Sequence, residues 1–166
     1  MLRSIKRITL CVLLASLTLF TIESGCRFLE PGPFRLKDQF PYVADDQLGQ
    51  IHKPSSDKSW KGSHFGINSQ GFRGPELKPG STPKLFRVLC IGDSLTFGVG
   101  IEEPSSWPRQ LEARLQGQLR EHDVEVINLA VSGWSGAQYH EAWRRFGPTL
   151  VPDLVILGYS LNDLPG

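Results

Sequence analysis

Phe86-Arg87-Val88-Leu89-Cys90-Ile91, running straight into Gly92-Asp93-Ser94, is the stretch on which the fold turns. A short, nearly continuous apolar run that stops at a glycine is the pattern of a strand buried on both faces. Downstream, Trp107, Leu111, Leu115 and Leu119 recur every fourth residue, which predicts a helix over residues 106–120 with Ser105 or Ser106 as its cap. Val124-Glu125-Val126-Ile127-Asn128-Leu129 predicts a second strand. A second helix is expected over residues 136–146, with Arg144 and Arg145 in its last turns to complement the helix dipole. Leu154-Val155-Ile156-Leu157-Gly158 then predicts a third strand. Strand, helix, strand, helix, strand at this spacing implies an α/β fold with a parallel sheet.

Each strand is followed by a cluster able to carry chemistry, at the sheet edge where open parallel sheets place their binding crevice. The clusters are Gly92-Asp93-Ser94-Leu95-Thr96-Phe97-Gly98, Asn128-Leu129-Ala130-Val131-Ser132-Gly133 and Ser160-Leu161-Asn162-Asp163. A serine at a sharp turn after a buried strand presents its hydroxyl in that crevice, and neighbouring glycines let backbone approach a substrate. Taken singly, each cluster has a plainer reading. Gly-Asp-Ser is a common turn, Asn128 can end a strand, Gly133 can be a loop glycine, and Asn162-Asp163 can cap a helix. The second glycine of an α/β-hydrolase elbow is missing around Ser94, where Thr96 stands, and comes one residue too soon after Gly133-Trp134-Ser135. No Gly-Lys-Ser/Thr follows Gly92, which excludes a phosphate-binding P-loop.

Together, in this order, the three clusters resemble the first three sequence blocks of the SGNH (GDSL-type) serine esterases and lipases, over roughly residues 84–166. Gly71-Phe72-Arg73-Gly74 also looks like a lead-in found in exported bacterial members. The resemblance implies a three-layer, flavodoxin-like SGNH hydrolase fold, here with only its first three strands, preceded by an irregular β-rich lead-in. It implies Ser94 as nucleophile, and an oxyanion hole made by the Ser94 N–H, the Gly133 N–H and the Asn162 side chain. Asp93 and Asp163 are supporting residues, Asp93 as a brace for the Ser94 loop. Hydrolysis or transfer of acyl esters follows, on a small ester, a lipid or an acetylated glycan, with neither metal nor organic cofactor. Two departures stand out. Ser160 replaces a glycine usual two residues before the asparagine, so its side chain is expected to crowd the oxyanion loop or shift Asn162. The family's Asp-x-x-His, which supplies the base, is also absent, and His52, His64, His122 and His140 are read as solvated or packing residues. The expectation is a chain truncated after the third block; the alternative function is a catalytically dead remnant acting as a non-enzymatic envelope or binding protein.

The remaining sequence sets the context. The 166 residues suit one domain plus extras, and a formal net charge of +1 gives no electrostatic grip on nucleic acid. Cys11, Cys26 and Cys90 lack metal-ligand spacing. Residues 1–26 read as a signal peptide, lipoprotein signal or membrane anchor. Arg3, Lys6 and Arg7 precede an apolar run from Ile8 to Ile22, 15 residues long and short of a spanning helix. Ser24-Gly25-Cys26 resembles a lipobox, with Cys26 as lipidation site, although Glu23 departs from the aliphatic residue of that pattern. The expected location is therefore the cell envelope or outside the cell, with membrane contact through this segment. Residues 27–84 are rich in Pro, Gly and Ser and are expected to be a spacer, becoming a small β-rich element around Trp60 to Arg73. Residues 85–166 form the expected N-terminal part of the hydrolase domain.

Overall fold

The computed structural model describes residues 2–29, 42–60, 63–80 and 84–160. The chain divides into two compact units, Met1–Leu36 and Lys37–Gly166. In the first, helix α1 (Leu2–Leu29) contains the apolar run, and Val12, Leu13, Leu14, Leu17, Leu19, Phe20 and Ile22 are all exposed. Among the described residues no helix is long and apolar enough to cross a membrane.

The second unit is built on three parallel strands: β5 (Leu85–Gly92), β6 (Asp123–Ala130) and β7 (Leu154–Gly158), in the order β6-β5-β7. β5 sits in the middle, paired on both sides, and its Val88, Leu89, Cys90 and Ile91 are fully buried. Helix α3 (Trp107–Gln118) covers one face of the sheet: Leu111 and Leu115, with Leu119 beyond its end, pack against Val88, Cys90, Val124 and Val126. Helix α4 (Gly136–Leu150) covers the other, its Tyr139, Ala142 and Leu150 sharing a core with Leu89, Ile91, Ile127 and Leu129. The architecture is thus α/β, with helices on both faces of a parallel sheet. At the foot of the sheet the registered pair Arg87 and Glu125 forms an ion pair of 2.6 Å with both side chains 8% exposed.

Three local expectations are corrected. Ser106 is the residue before α3, but its hydroxyl donates to the Glu103 carbonyl instead of accepting from the helix; Pro108, near the helix start, has no N–H to cap. Trp107 is exposed and stands off the buried stripe. Helix α4 continues through Pro148 to Leu150, so Arg144 and Arg145 do not lie in its last turn. They pair instead with Glu141 at 2.6 Å and Asp45 at 2.5 Å.

The lead-in is β-rich, as expected, but its strands begin at Tyr42, well before the Trp60 to Arg73 stretch in which they were expected. Two antiparallel hairpins form, β1 (Tyr42–Asp45) with β2 (Gly49–His52), and β3 (Ser56–Trp60) with β4 (Ser63–Ile67). The turn of the first is closed by Asp45, whose carboxylate accepts from the Gln47 and Leu48 amides. Leu48 and Phe72 are buried in the same core as Leu89 and Ile127, so residues on both sides of position 84 share one interior. Arg73 completes the connection, bridging Ile67 on one side and Asn128 of β6 on the other.

Candidate active site

Gly92, Ala130 and Gly158 lie at one level of the sheet, Gly92 being registered with both of the others. Ser94, Ser132 and Ser160 each follow two residues later, so the first two clusters and the first residue of the third emerge at the carboxyl edge. The first turns into helix α2, the single turn Ser94–Phe97. Asp93 caps it: one carboxylate oxygen accepts from the Leu95 amide at 2.9 Å. The other accepts from the Ser160 hydroxyl at 2.9 Å, tying the third cluster to the first. Ser160, where the resemblance led one to expect crowding, is thereby a hydrogen-bond donor to the Ser94 loop. The turn ends at Gly98, in the left-handed region at φ 83°, where a β-carbon would sit 3.2 Å from the Arg73 guanidinium.

Seating this turn close to the sheet requires two glycines. A β-carbon on Gly92 would lie 2.1 Å from the Thr96 hydroxyl oxygen, and one on Gly158 would lie 1.9 Å from it. Thr96 therefore occupies the space that side chains at the ends of β5 and β7 would take. Buried Asn128 holds α2 from the β6 side, donating to the Thr96 carbonyl at 3.1 Å.

The second cluster forms a tight turn in which the Trp134 amide donates to the Val131 carbonyl and Gly133 takes φ 85°. The lead-in grips this turn from outside. Gln50 donates from its side chain to the Ser132 carbonyl at 2.9 Å and receives the Trp134 indole N–H on its own carbonyl at 3.0 Å. His52 lies 3.1 Å from the Ala130 carbonyl through Nε2 and stacks on Phe97 at 4.8 Å. Burial pushes its pKa down to about 4, so the ring is neutral near pH 7 and donates to that carbonyl.

Ser94, Asp93 and Gly133 thus converge on one edge. Asn162 and Asp163 lie outside the described residues. Cys26 is an exposed thiol on α1, in the other unit. The histidines are engaged elsewhere: His52 is buried against Ala130, and exposed His64 pairs with Asp57 at 2.5 Å. His122 precedes β6 and packs beside Phe86, at the opposite end of the sheet from Ser94. His140 is exposed on α4. It borders an apolar cleft of about 410 Å³ lined by Tyr139, Trp143, Val155, Leu157 and Tyr159. Sequence reading missed Gln50 altogether, and missed the bracing roles of Thr96, Asn128 and Arg73, although all three lie in the motifs it singles out. Thr96 and Asn128 carried a signal through their clusters and Arg73 as a charge set between Phe72 and Gly74, whereas Gln50 carried none.

The sequence model of the GDSL-like lipase/acylhydrolase family matches residues 90–166. None of the curated proteins matches the chain. Two solved structures are similar over part of it: AlinE4, described as an SGNH-hydrolase family esterase, and a mutant of the esterase AlinE4. Each is 30% identical, covers 50% of this chain and 44% of the solved one, and superposes with a TM-score of 0.39. The chain therefore spans less than half the length of those esterases. The matched residues 90–166, a little under half of the chain, carry the Gly-Asp-Ser turn and both downstream clusters, and this stretch is similar to the GDSL-like lipase/acylhydrolase family.

Proposed function

We propose that the protein hydrolyses or transfers acyl esters through an acyl-enzyme on Ser94. The observation that supports this reading is the Asp93-capped turn that puts Ser94 just past the end of the central strand, at the edge where the registered strand β6 also ends. The Ser94 hydroxyl attacks the ester carbonyl, and the alcohol leaves as the acyl group passes to serine. The N–H groups of Ser94 and Gly133, with the Asn162 amide, stabilise the tetrahedral oxyanion. One such donor is worth about 3–4 kcal/mol of barrier. Asp93 serves as the brace of the loop. The substrate class is an acyl ester of a lipid, an acetylated glycan or another small alcohol, and no cofactor enters the reaction. A fluorophosphonate probe tests the assignment: Ser94 becomes labelled, and Ser94→Ala loses the label. Undiminished labelling of that variant would show the nucleophile to be misassigned.

A second reading, a non-catalytic envelope or binding protein, is supported by His52, buried against the Ala130 carbonyl, by His64, paired with Asp57, and by His122, packed beside Phe86 at the opposite end of the sheet. A serine without an imidazole partner is almost wholly protonated near neutral pH and a poor nucleophile. The coding sequence past the Gly166 codon separates the two readings, by presence or absence of an Asp-x-x-His.

The N-terminal unit is proposed to direct export and to keep the protein at the envelope. Its exposed Leu, Ile and Phe side chains support this, since fully burying each in an apolar phase is worth about 1.5–3 kcal/mol. Fractionation tests the location, and radiolabelled palmitate that enters the wild type but not Cys26→Ala tests the lipoprotein version.

A further inference from the structure

Arg73 belongs to the lead-in, yet the hydrogen bonds of its side chain run to the end of the Ser94 turn and the loop that follows it. The residue is 4% exposed. One terminal nitrogen donates to the carbonyls of Phe97 at 2.6 Å and Gly98 at 2.7 Å, and the other donates to the carbonyl of Ile101 at 2.6 Å. The guanidinium carbon lies 4.7 Å from the centre of the Phe97 ring and 5.7 Å from that of Phe65. The Arg73 amide in turn donates to the Asn128 carbonyl, fixing the residue to β6.

These contacts have a direct structural meaning. Phe97 and Gly98 are the last residue and the C-cap of α2, and the Gly98 and Val99 amides both return to the Ser94 carbonyl. Carbonyls at a helix end that leave the ladder need donors. A planar guanidinium with five N–H groups can serve three at once from one fixed position, and an ammonium on a flexible stem cannot hold that geometry. Removing the fork leaves Asp93 at the start of the turn, Asn128 on the Thr96 carbonyl and, more distantly at 3.4 Å, on the Phe97 carbonyl, while the Gly98 and Ile101 carbonyls lose their side-chain donor.

We propose that Arg73 is the positioning residue of the nucleophile turn, clamping the Phe97, Gly98 and Ile101 carbonyls so that Ser94 is held in one orientation on the crevice edge. The kinetic half of this statement rests on the reading of Ser94 as nucleophile; the structural half does not.

The test uses the full chain with Arg73→Lys, which keeps the charge, and Arg73→Met, which keeps the length without donors. Hydrogen exchange followed by mass spectrometry reads the structural half. Exchange in peptides covering residues 94–101 is expected to rise about tenfold or more in Arg73→Lys, with peptides from β5 and from residues 124–127 unchanged. A uniform rise over the whole unit, or none, overturns the proposal, because an arginine that merely stabilises the fold loosens all of it together. If Arg73→Met fails to fold, Arg73→Lys decides alone. The second-order rate of fluorophosphonate labelling reads the kinetic half, compared at equal folded fraction. It is expected to fall by about tenfold or more in Arg73→Lys, since a displacement of order 1 Å costs up to about a hundredfold. An unchanged rate beside increased local exchange overturns the positioning role. A wild type that exchanges as expected yet never labels at Ser94 counts against the nucleophile assignment, while the exchange result still decides the clamp.

Discussion

Placing a methyl group on Gly158 tests how tightly the nucleophile turn is gauged against the sheet. The new β-carbon would lie 1.9 Å from the Thr96 hydroxyl oxygen, 3.2 Å from the Thr96 β-carbon and 3.6 Å from the Ile91 carbonyl. Only the first contact is prohibitive. Thr96 is 1% exposed and flanked on its other side by Gly92, so its hydroxyl has little room to swing away. Overpacking of this kind costs about 1–3 kcal/mol. In a Thr96→Ala background the hydroxyl is gone, and the remaining 3.2 Å contact needs only a shift of a few tenths of an ångström. The penalty of Gly158→Ala should then fall below about 1 kcal/mol, a favourable coupling of about 1–2 kcal/mol. Gly92→Ala supplies the control. Its β-carbon also meets the Thr96 β-carbon at 2.5 Å and the Gly158 carbonyl at 3.0 Å, so Thr96→Ala should rescue it far less. Urea unfolding of the wild type, the single variants and the two doubles gives the couplings directly. Additivity of Gly158→Ala and Thr96→Ala to within about 0.5 kcal/mol would refute the reasoning, because it would mean that Thr96 turns aside at no cost.

The other predictions concern buried charge and protonation. His52 is held neutral in the fold with a pKa of about 4 and titrates near 6.5 when unfolded. Between those values the unfolded chain binds the extra proton, so stability is intact above about pH 6.5 and declines by up to about 3 kcal/mol as pH falls to 4. Substituting His52→Phe, which keeps a ring against Phe97 and Tyr42, should flatten that part of the stability profile measured by urea unfolding. An unchanged slope would place the titrating group elsewhere. Arg87→Met should cost about 3–5 kcal/mol by leaving the Glu125 carboxylate buried without its cation. Arg87→Met with Glu125→Leu should cost less than Arg87→Met alone, read from urea midpoints; a strictly additive double would contradict it.

The sheet was legible because its signal is one-sided. In β5, β6 and β7 apolar residues follow one another with few interruptions, and glycine or a polar cluster marks each end. The positions of Ser94 and Gly133 beyond those ends followed with them, and the family match to residues 90–166 rests on the same stretch. The hairpin of β1 and β2 was not legible. Its residues Tyr42-Val43-Ala44-Asp45 and Gly49-Gln50-Ile51-His52 mix polar and apolar types, and what anchors it is tertiary: Leu48 in the main core, and Gln50 and His52 on carbonyls of the β6 end. The end of α4 was misread because Pro148 is a stop signal in isolation. In the structure it lies in the last turn of a helix whose buried Gly147 and Leu150 continue the packing. Arg144 and Arg145 were assigned to a dipole that their true distance from the helix end denies them, and nearby carboxylates engage them instead.

The grip of the first hairpin on the second cluster also sets the order of events when the protein is made. His52 reaches its partner Ala130 across 78 residues, and Gln50 reaches Ser132 across 82. At about 5–20 residues per second, the hairpin waits roughly 4–16 s on the ribosome before the strand that supports it has even been synthesised. During that interval Leu48 and His52, each 1% exposed in the finished fold, have no β6 to pack on. Two short strands alone are at best marginally stable in water. The segment that braces the active edge is thus translated early and consolidated late, and long-range closure of this kind slows folding.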